Sequence, residues 1–423
     1  MILSNISTPL LGLVDTAVLG HLDSEQYLAA VALGGLIFSF IFWGFGFLRM
    51  GTTGLTAHAF GDGNRREINA VLMRALVLAI AISIVLLVLN QTISSLSLSL
   101  LQSSDNIKLL SAQYFEIRIL SAPATLCLYV LMGWFLGQQN VKVPFLVLLL
   151  TNIINISLDL LFVYHFKMQI EGVALATVFA EYSGLAIALI AALRKLRKHK
   201  GFFYWCDVMS LNKIVSMMRI NSHIFIRTWC LIFAFAFFTA QGAKLGGVIL
   251  AANTVLLNFQ TFMAYALDGF AHAAEALVGN AVGAKNKVML KQVILTAGLW
   301  SFVIAILFSL LYLYFGYEII DQLTDLISVK EIAYQYLPWL ILMPLVSFLC
   351  YLFDGIFIGA MLTAQMRNTM IFSLFCVFFP AWYYSQHLGN IGLWLTMTLF
   401  MLARSLSMLI VFIRHRELLM KMK

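Results

Sequence analysis

Tyr129-Val-Leu-Met-Gly-Trp-Phe-Leu-Gly137 and Tyr351-Leu-Phe-Asp-Gly-Ile-Phe-Ile-Gly359 share Tyr, Gly, Phe and Gly at one spacing, 222 residues apart. The same offset, with no gap, aligns Gly20, Leu28, Ala29, Ala30, Phe40 and Leu55 with Gly242, Leu250, Ala251, Ala252, Phe262 and Leu277. It also brings Ala59, Gly61 and Asn64 onto Ala281, Gly283 and Asn286. Scattered Leu and Ala matches are cheap in an apolar chain. Two multi-residue patterns at one offset are not, and they mark an internal duplication.

What is duplicated follows from composition. Of the 423 residues 62% are apolar, 11% are charged and 34 are Phe, against roughly 45–50% apolar and 25% charged in soluble domains. So few charges cannot cover a water-facing surface, and most of this surface must face lipid. A helix needs about 20 apolar residues to cross the hydrocarbon. Twelve such runs lie near 2–20, 27–58, 72–97, 113–137, 143–164, 170–193, 220–242, 245–282, 289–315, 333–360, 366–386 and 389–413. The second and eighth are long and carry glycines (Gly44, Gly46, Gly51; Gly269, Gly279), so each is either one tilted helix or a broken one. The expected fold is an all-α integral membrane protein of twelve transmembrane helices in two pseudo-symmetric six-helix bundles. Six is even, so the halves share an orientation about an axis along the membrane normal, as in parallel-repeat transporters. The expected division is an N-terminal lobe (1–193), a basic linker (194–213), a C-terminal lobe (214–413) and a basic tail (414–423).

Charge sets the orientation. Loops at 59–71, 138–142, 194–213, 283–291 and 367, with the tail, hold 17 Lys/Arg, whereas the alternate loops hold Lys108, Lys167, Lys244 and Lys330. The remaining six Arg lie in or beside the spans. By the positive-inside rule both termini are cytoplasmic, in a bacterial-type inner (plasma) membrane. The net charge of +8 is thus a topology signal, and no nucleic-acid partner is expected. The densest basic run, Arg194-Lys-Leu-Arg-Lys-His-Lys200, reads as a topology anchor, with an anionic-lipid site as the alternative. No cleavable signal peptide is visible. The five cysteines are scattered, without CxxC or metal spacing.

Acids inside the bilayer are costly and are functional candidates by default. Asp15 in the first run and Asp159 in the fifth each lie a few residues short of the outer surface. Thr177 sits roughly 10 Å below that surface, at about 1.5 Å per residue along the sixth run. Asn152, Asn155 and Asp159 share one helix face. Asp15, Asn155, Asp159 and Thr177 can therefore share one depth. One reading is a cation site: two neighbouring carboxylates in a low dielectric hold a proton or a small cation such as Na+. The other is an interhelical polar clamp. The offset places Phe237 opposite Asp15, so the second half has no copy of this acid. That half carries Asp268, His272 and Glu275 on one face of the eighth run and Asp354 on the tenth. These read as a second cation relay or as a salt-bridged inner gate. Asn152 and Tyr129 are candidate polar groups of a substrate cavity, and Pro9 and Gly12 candidate bend points. Phe, Tyr, Trp and Met are abundant enough to line an adaptable cavity for flat organic cations. Walker A, GxSxG, dinucleotide and HExxH patterns are absent, so neither an enzyme nor a cofactor is expected, and no structural metal.

Pro9-Leu-Leu-Gly-Leu-Val-Asp-Thr-Ala-Val-Leu-Gly-His-Leu22 resembles the first helix of the multidrug and toxic compound extrusion family, in its DinF-like branch. Leu48-Arg-Met-Gly-Thr-Thr-Gly-Leu-Thr-Ala-His-Ala-Phe-Gly61, Leu267-Asp-Gly-Phe-Ala-His-Ala-Ala-Glu-Ala-Leu-Val-Gly279 and Phe353-Asp-Gly-Ile-Phe-Ile-Gly-Ala360 resemble it too. The resemblance covers essentially the whole chain. It implies two six-helix bundles around a V-shaped cavity, and export of organic, often cationic or amphipathic, compounds against inward H+ or Na+ flow. By the same resemblance Asp15 matches the family's first-helix acid, whose protonation is linked to bending. Asn155 and Asp159 match its Asn-x3-Asp pair, and Thr177 a hydroxyl ligand of sodium-bound forms. A monomer is expected. The rival functions are a flippase for lipid-linked precursors, which would want Arg/Lys in its cavity, and a gradient-independent channel or sensor, which needs no titrating acids.

Overall fold

The computed structural model describes residues 25–100, 104–198 and 205–420, and these contain helices and no strand. The chain is an all-α integral membrane protein. Its helices are α1 (Glu25–Gly44), α2 (Phe47–Gly61), α3 (Arg65–Val88), α4 (Asn90–Leu100), α5 (Asp105–Arg118), α6 (Ala122–Gly137), α7 (Lys142–Leu160) and α8 (Ile170–Lys198). There follow α9 (Trp205–Val208), α10 (Leu211–Lys244), α11 (Gly247–Gly283), α12 (Lys287–Leu323), α13 (Ile327–Gly359), α14 (Thr363–Phe372), α15 (Phe379–Ser385) and α16 (Asn390–Met420). Ten helical stretches among the described residues are long and apolar enough to cross a membrane. The first run, with Pro9, Gly12 and Asp15, lies outside the described residues. The eleventh is helical but assembled from α14, a π-helical stretch at Ser373–Phe378, and α15.

The two long runs resolve differently. The second breaks between α1 and α2, where Phe45 and Gly46 turn back onto the carbonyls of Phe42 and Trp43 at 3.1 and 3.0 Å. The eighth is one continuous helix, α11, through both Gly269 and Gly279. A membrane helix tolerates glycine because its backbone hydrogen bonds have no water to defect to. α13 likewise runs unbroken past Pro338 and Pro344.

The described residues form two compact units, one ending at Met217 and the other beginning at Met218. In the first, α2 packs along α6 and α7 along α8; in the second, α13 packs along both α11 and α12. The duplication is visible in detail within each. Asn64 caps α3 by accepting from the Glu67 amide at 3.0 Å, and Asn286 caps α12 by accepting from that of Met289 at 3.0 Å. The residue before each cap is left-handed, Gly63 at φ 70° and Lys285 at φ 53°. Gln139 and Met361, also 222 apart, are left-handed at φ 60° and 59°.

The shared Gly-x3-Gly spacing brings backbones together. On α6, Gly133 and Gly137 lie against the carbonyls of Arg49 and Thr53 on α2. On α13, Gly355 and Gly359 lie against those of Ala271 and Glu275 on α11. A Cβ on Gly137 would sit 2.7 Å from its carbonyl oxygen and one on Gly359 2.5 Å from its own. Without a hydrophobic force between helices in lipid, such close approach is what small residues contribute. Elsewhere the apolar surface is turned outward: Leu295, Leu299 and Leu307 on α12 are exposed, as lipid permits and water would not.

Candidate cation-coupling site

In the first unit the antiparallel helices α7 and α8 bring Asn155, Asp159 and Thr177 into the interior, with exposures of 1, 0 and 7%. Asp159 follows Asn155 by one turn, which keeps both on one face. The Asn155 amide Nδ2 donates to Thr177 Oγ1 at 3.4 Å, while that hydroxyl donates to the Val173 carbonyl at 2.9 Å. With its own proton spent on the backbone, the hydroxyl faces Asn155 as an acceptor. The Asn155 Oδ1 is buried and accepts no hydrogen bond among the described residues. Carboxylate, amide and hydroxyl oxygens are of the kind that take a proton or a small hard cation. α7 passes into a π-helical turn, Leu161–His165, two residues beyond Asp159. Such turns loosen the regular ladder and are frequent at functional sites. Asn152 and Tyr129 are half-buried. Asp15, the expected second carboxylate, lies outside the described residues.

The second-half candidates fall into two groups. Asp354 on α13 is buried, and its Oδ2 accepts from Arg227 of α10 and, at 3.0 Å, from Arg404 of α16. Three helices thus meet on one carboxylate. Asp268 lies within electrostatic reach of Arg227. His272 and Glu275 are neighbours on α11, with Nδ1 3.9 Å from Oε2, and Glu275 is 1% exposed.

Sequence reasoning did not single out the arginines. Among those that the charge count placed in or beside spans, Arg74 pairs with Glu67, Arg118 with Glu181, and Arg227 and Arg404 with Asp354. The signal was available, since a base inside a span is as costly as an acid there and requires a partner. What single-helix spacing cannot show is which acid on which other helix answers it.

The MatE family model matches residues 1–161 and 224–383. The chain is 42% identical over 421 residues to the DNA damage-inducible protein F of Escherichia coli (strain K12), covering 98% of this chain and 90% of that protein. It is 25% identical over 335 residues to the probable multidrug resistance protein NorM of Bacillus cereus (strain ATCC 10987 / NRS 248), covering 78% and 73%. Among solved structures, the Vibrio cholerae MATE transporter VcmN, in a point-mutant form, superposes with a TM-score of 0.86 at 20% identity. That match covers 99% of this chain and 95% of the other.

Proposed function

The chain belongs to the MatE family of membrane transporters, and from that premise we propose that it exports small organic, often cationic, compounds in exchange for H+ or Na+ by alternating access. The carrying observation is the buried Asn155–Asp159–Thr177 cluster, a set of oxygen donors inside an otherwise apolar bundle. Multidrug resistance in the name of the Bacillus cereus relative supports the cargo class.

In this reading Asp159 acts with Asp15, and the external cation neutralises them. Occupancy disfavours cargo in the first lobe, with Pro9 and Gly12 the points where the first helix yields. The cation then leaves toward the cytoplasm and cargo takes its turn. Exchange requires only that cation and cargo favour different states of the protein. The lobes are assigned as 1–193 and 214–413, joined by the basic linker 194–213 and followed by the tail 414–423. The loop charges support cytoplasmic termini in a bacterial inner membrane. A flippase would want free bases for phosphate heads, and Arg227 and Arg404 are already committed to Asp354, which counts against that rival. The test is dye export from proteoliposomes under an imposed proton or sodium gradient. Export by Asp159→Asn at the wild-type rate, with the wild-type response to the gradient, overturns the assignment.

A further inference from the structure

Four residues inward from Thr177, on the same face of α8, stands Glu181. Its Oε1 accepts from Arg118 at 2.7 Å and its Oε2 from the Thr125 hydroxyl. Arg118 also donates to Ser121. Its guanidinium lies over the rings of Phe38 and Phe42, 5.4 and 5.5 Å from their centroids. Both charged side chains are nearly buried, at 11 and 15% exposure. Glu181 is eleven residues into α8, roughly 16 Å along its axis. That is about the middle of a hydrocarbon layer of roughly 30 Å. An ion pair at that depth is expensive, and two apolar side chains would join α5 to α8 without the expense.

Resting on the antiport reading, we propose that Glu181 is an inner proton station of the first lobe, with Arg118 as its built-in counter-ion. Asp159, then Asn155 with Thr177, then Glu181 form a polar series stepping one helical turn at a time from the outer side toward the middle. The ion that Glu181 takes is a proton. Both of its oxygens already hold donors and a guanidinium is in contact, which leaves no shell of oxygens for a sodium ion, whereas a proton needs one lone pair. The proton released by Asp159, carried by water past Asn155 and Thr177, ends as an O–H on Glu181, and the carboxyl gives up its contact with Arg118. Arg118 stays charged, held by the faces of Phe38 and Phe42 and by Ser121. When the proton leaves inward the ion pair re-forms, so the empty station is neutral as a unit. Glu181 faces Arg118 from α5, Ser121 and Thr125 ahead of and within α6, and Tyr182 beside it, while Tyr114 lies against Arg118 and Cys127 against Tyr182. α1 presents Phe38 and Phe42, and α7 presents Asp159 farther out.

The test reads the proton directly. Infrared difference spectra of the purified full chain, acidic minus alkaline, are compared for wild type and Glu181→Gln. We expect one protonated-carboxyl component to vanish in the variant, and gradient-driven dye export to fall to that of protein-free vesicles. Glu181→Asp restores part of both. The double variant Arg118→Gln with Glu181→Gln leaves no uncompensated charge, and it binds dye with unchanged thermal stability yet does not exchange. A carboxyl spectrum unaltered by Glu181→Gln overturns the proposal. So does a double variant that exports at the wild-type rate with the wild-type pH profile, since the pair is then a clamp. A wild-type protein that shows the Glu181 component but exports dye regardless of any gradient supports the station and overturns the antiport reading instead.

Discussion

Gly359 on α13 lies so close to the Glu275 carbonyl on α11 that a Cβ would sit 2.5 Å from its oxygen. Gly137 and Thr53 stand in the same relation 222 residues earlier, at 2.7 Å. A methyl group at either position has to push two helix backbones apart. Gly137→Ala and Gly359→Ala should each lower stability by roughly 1–3 kcal/mol, read as a drop in melting temperature in detergent. Gly35→Ala is the control. It is helical with open space where the Cβ goes, and should be neutral or stabilising by up to ~1 kcal/mol. Equal losses at all three positions would rule out the close-approach argument.

Asp354 holds two guanidiniums at once. Asp354→Asn strands both inside the second lobe and should cost about 3–5 kcal/mol, the range for removing one partner of a buried pair. Replacing Arg227, Asp354 and Arg404 together with Met, Leu and Met should recover most of that loss. Thermal unfolding of the two variants decides the matter, and a triple replacement no more stable than the single one contradicts it.

Lys285 carries a left-handed φ of 53° on an exposed corner where the first half has Gly63. A side chain in that region costs roughly 1–2 kcal/mol. Lys285→Gly should therefore gain up to about 1 kcal/mol after the unfolded chain's added freedom is subtracted. The corresponding Gly63→Lys should lose a similar amount. Opposite signs of the two melting shifts are the expected result.

Thr177→Val keeps the shape but removes the oxygen that accepts from Asn155. An amide left without its acceptor costs roughly 1–3 kcal/mol. Vesicle export should weaken beyond that stability loss, and Thr177→Ser should restore it. If Thr177→Val exports like wild type under both gradients, the hydroxyl has no part in cation handling.

Much of the scaffold was legible because lipid makes a simple demand: long apolar helices, whose duplication shows as a fixed offset. The breaks were harder to read. Glycines alone do not distinguish the second run, which turns at Phe45 and Gly46, from the eighth, which stays one continuous helix through Gly269. The π-helical stretch at Ser373–Phe378 left no mark in the apolar pattern. Asn155, Asp159 and Thr177 could be placed at one depth by counting along their helices, and the structure brings Asn155 and Thr177 into contact. The commitment of Asp354 to Arg227 and Arg404 could not be foreseen, because those partners sit 127 and 50 residues away and pairing across helices has no period.

The duplicated Gly-to-carbonyl joints are made by backbone atoms on the receiving helix, so the joint places no demand on the side chain that rides on it. Where one copy carries Thr53 the other carries Glu275, and where one carries Arg49 the other carries Ala271. After duplication, mutation was therefore free to sort charged and neutral residues between the halves without loosening either. Two copies of one mechanical part became specialists, and the asymmetry that vectorial traffic across a membrane requires was obtained from a symmetric beginning.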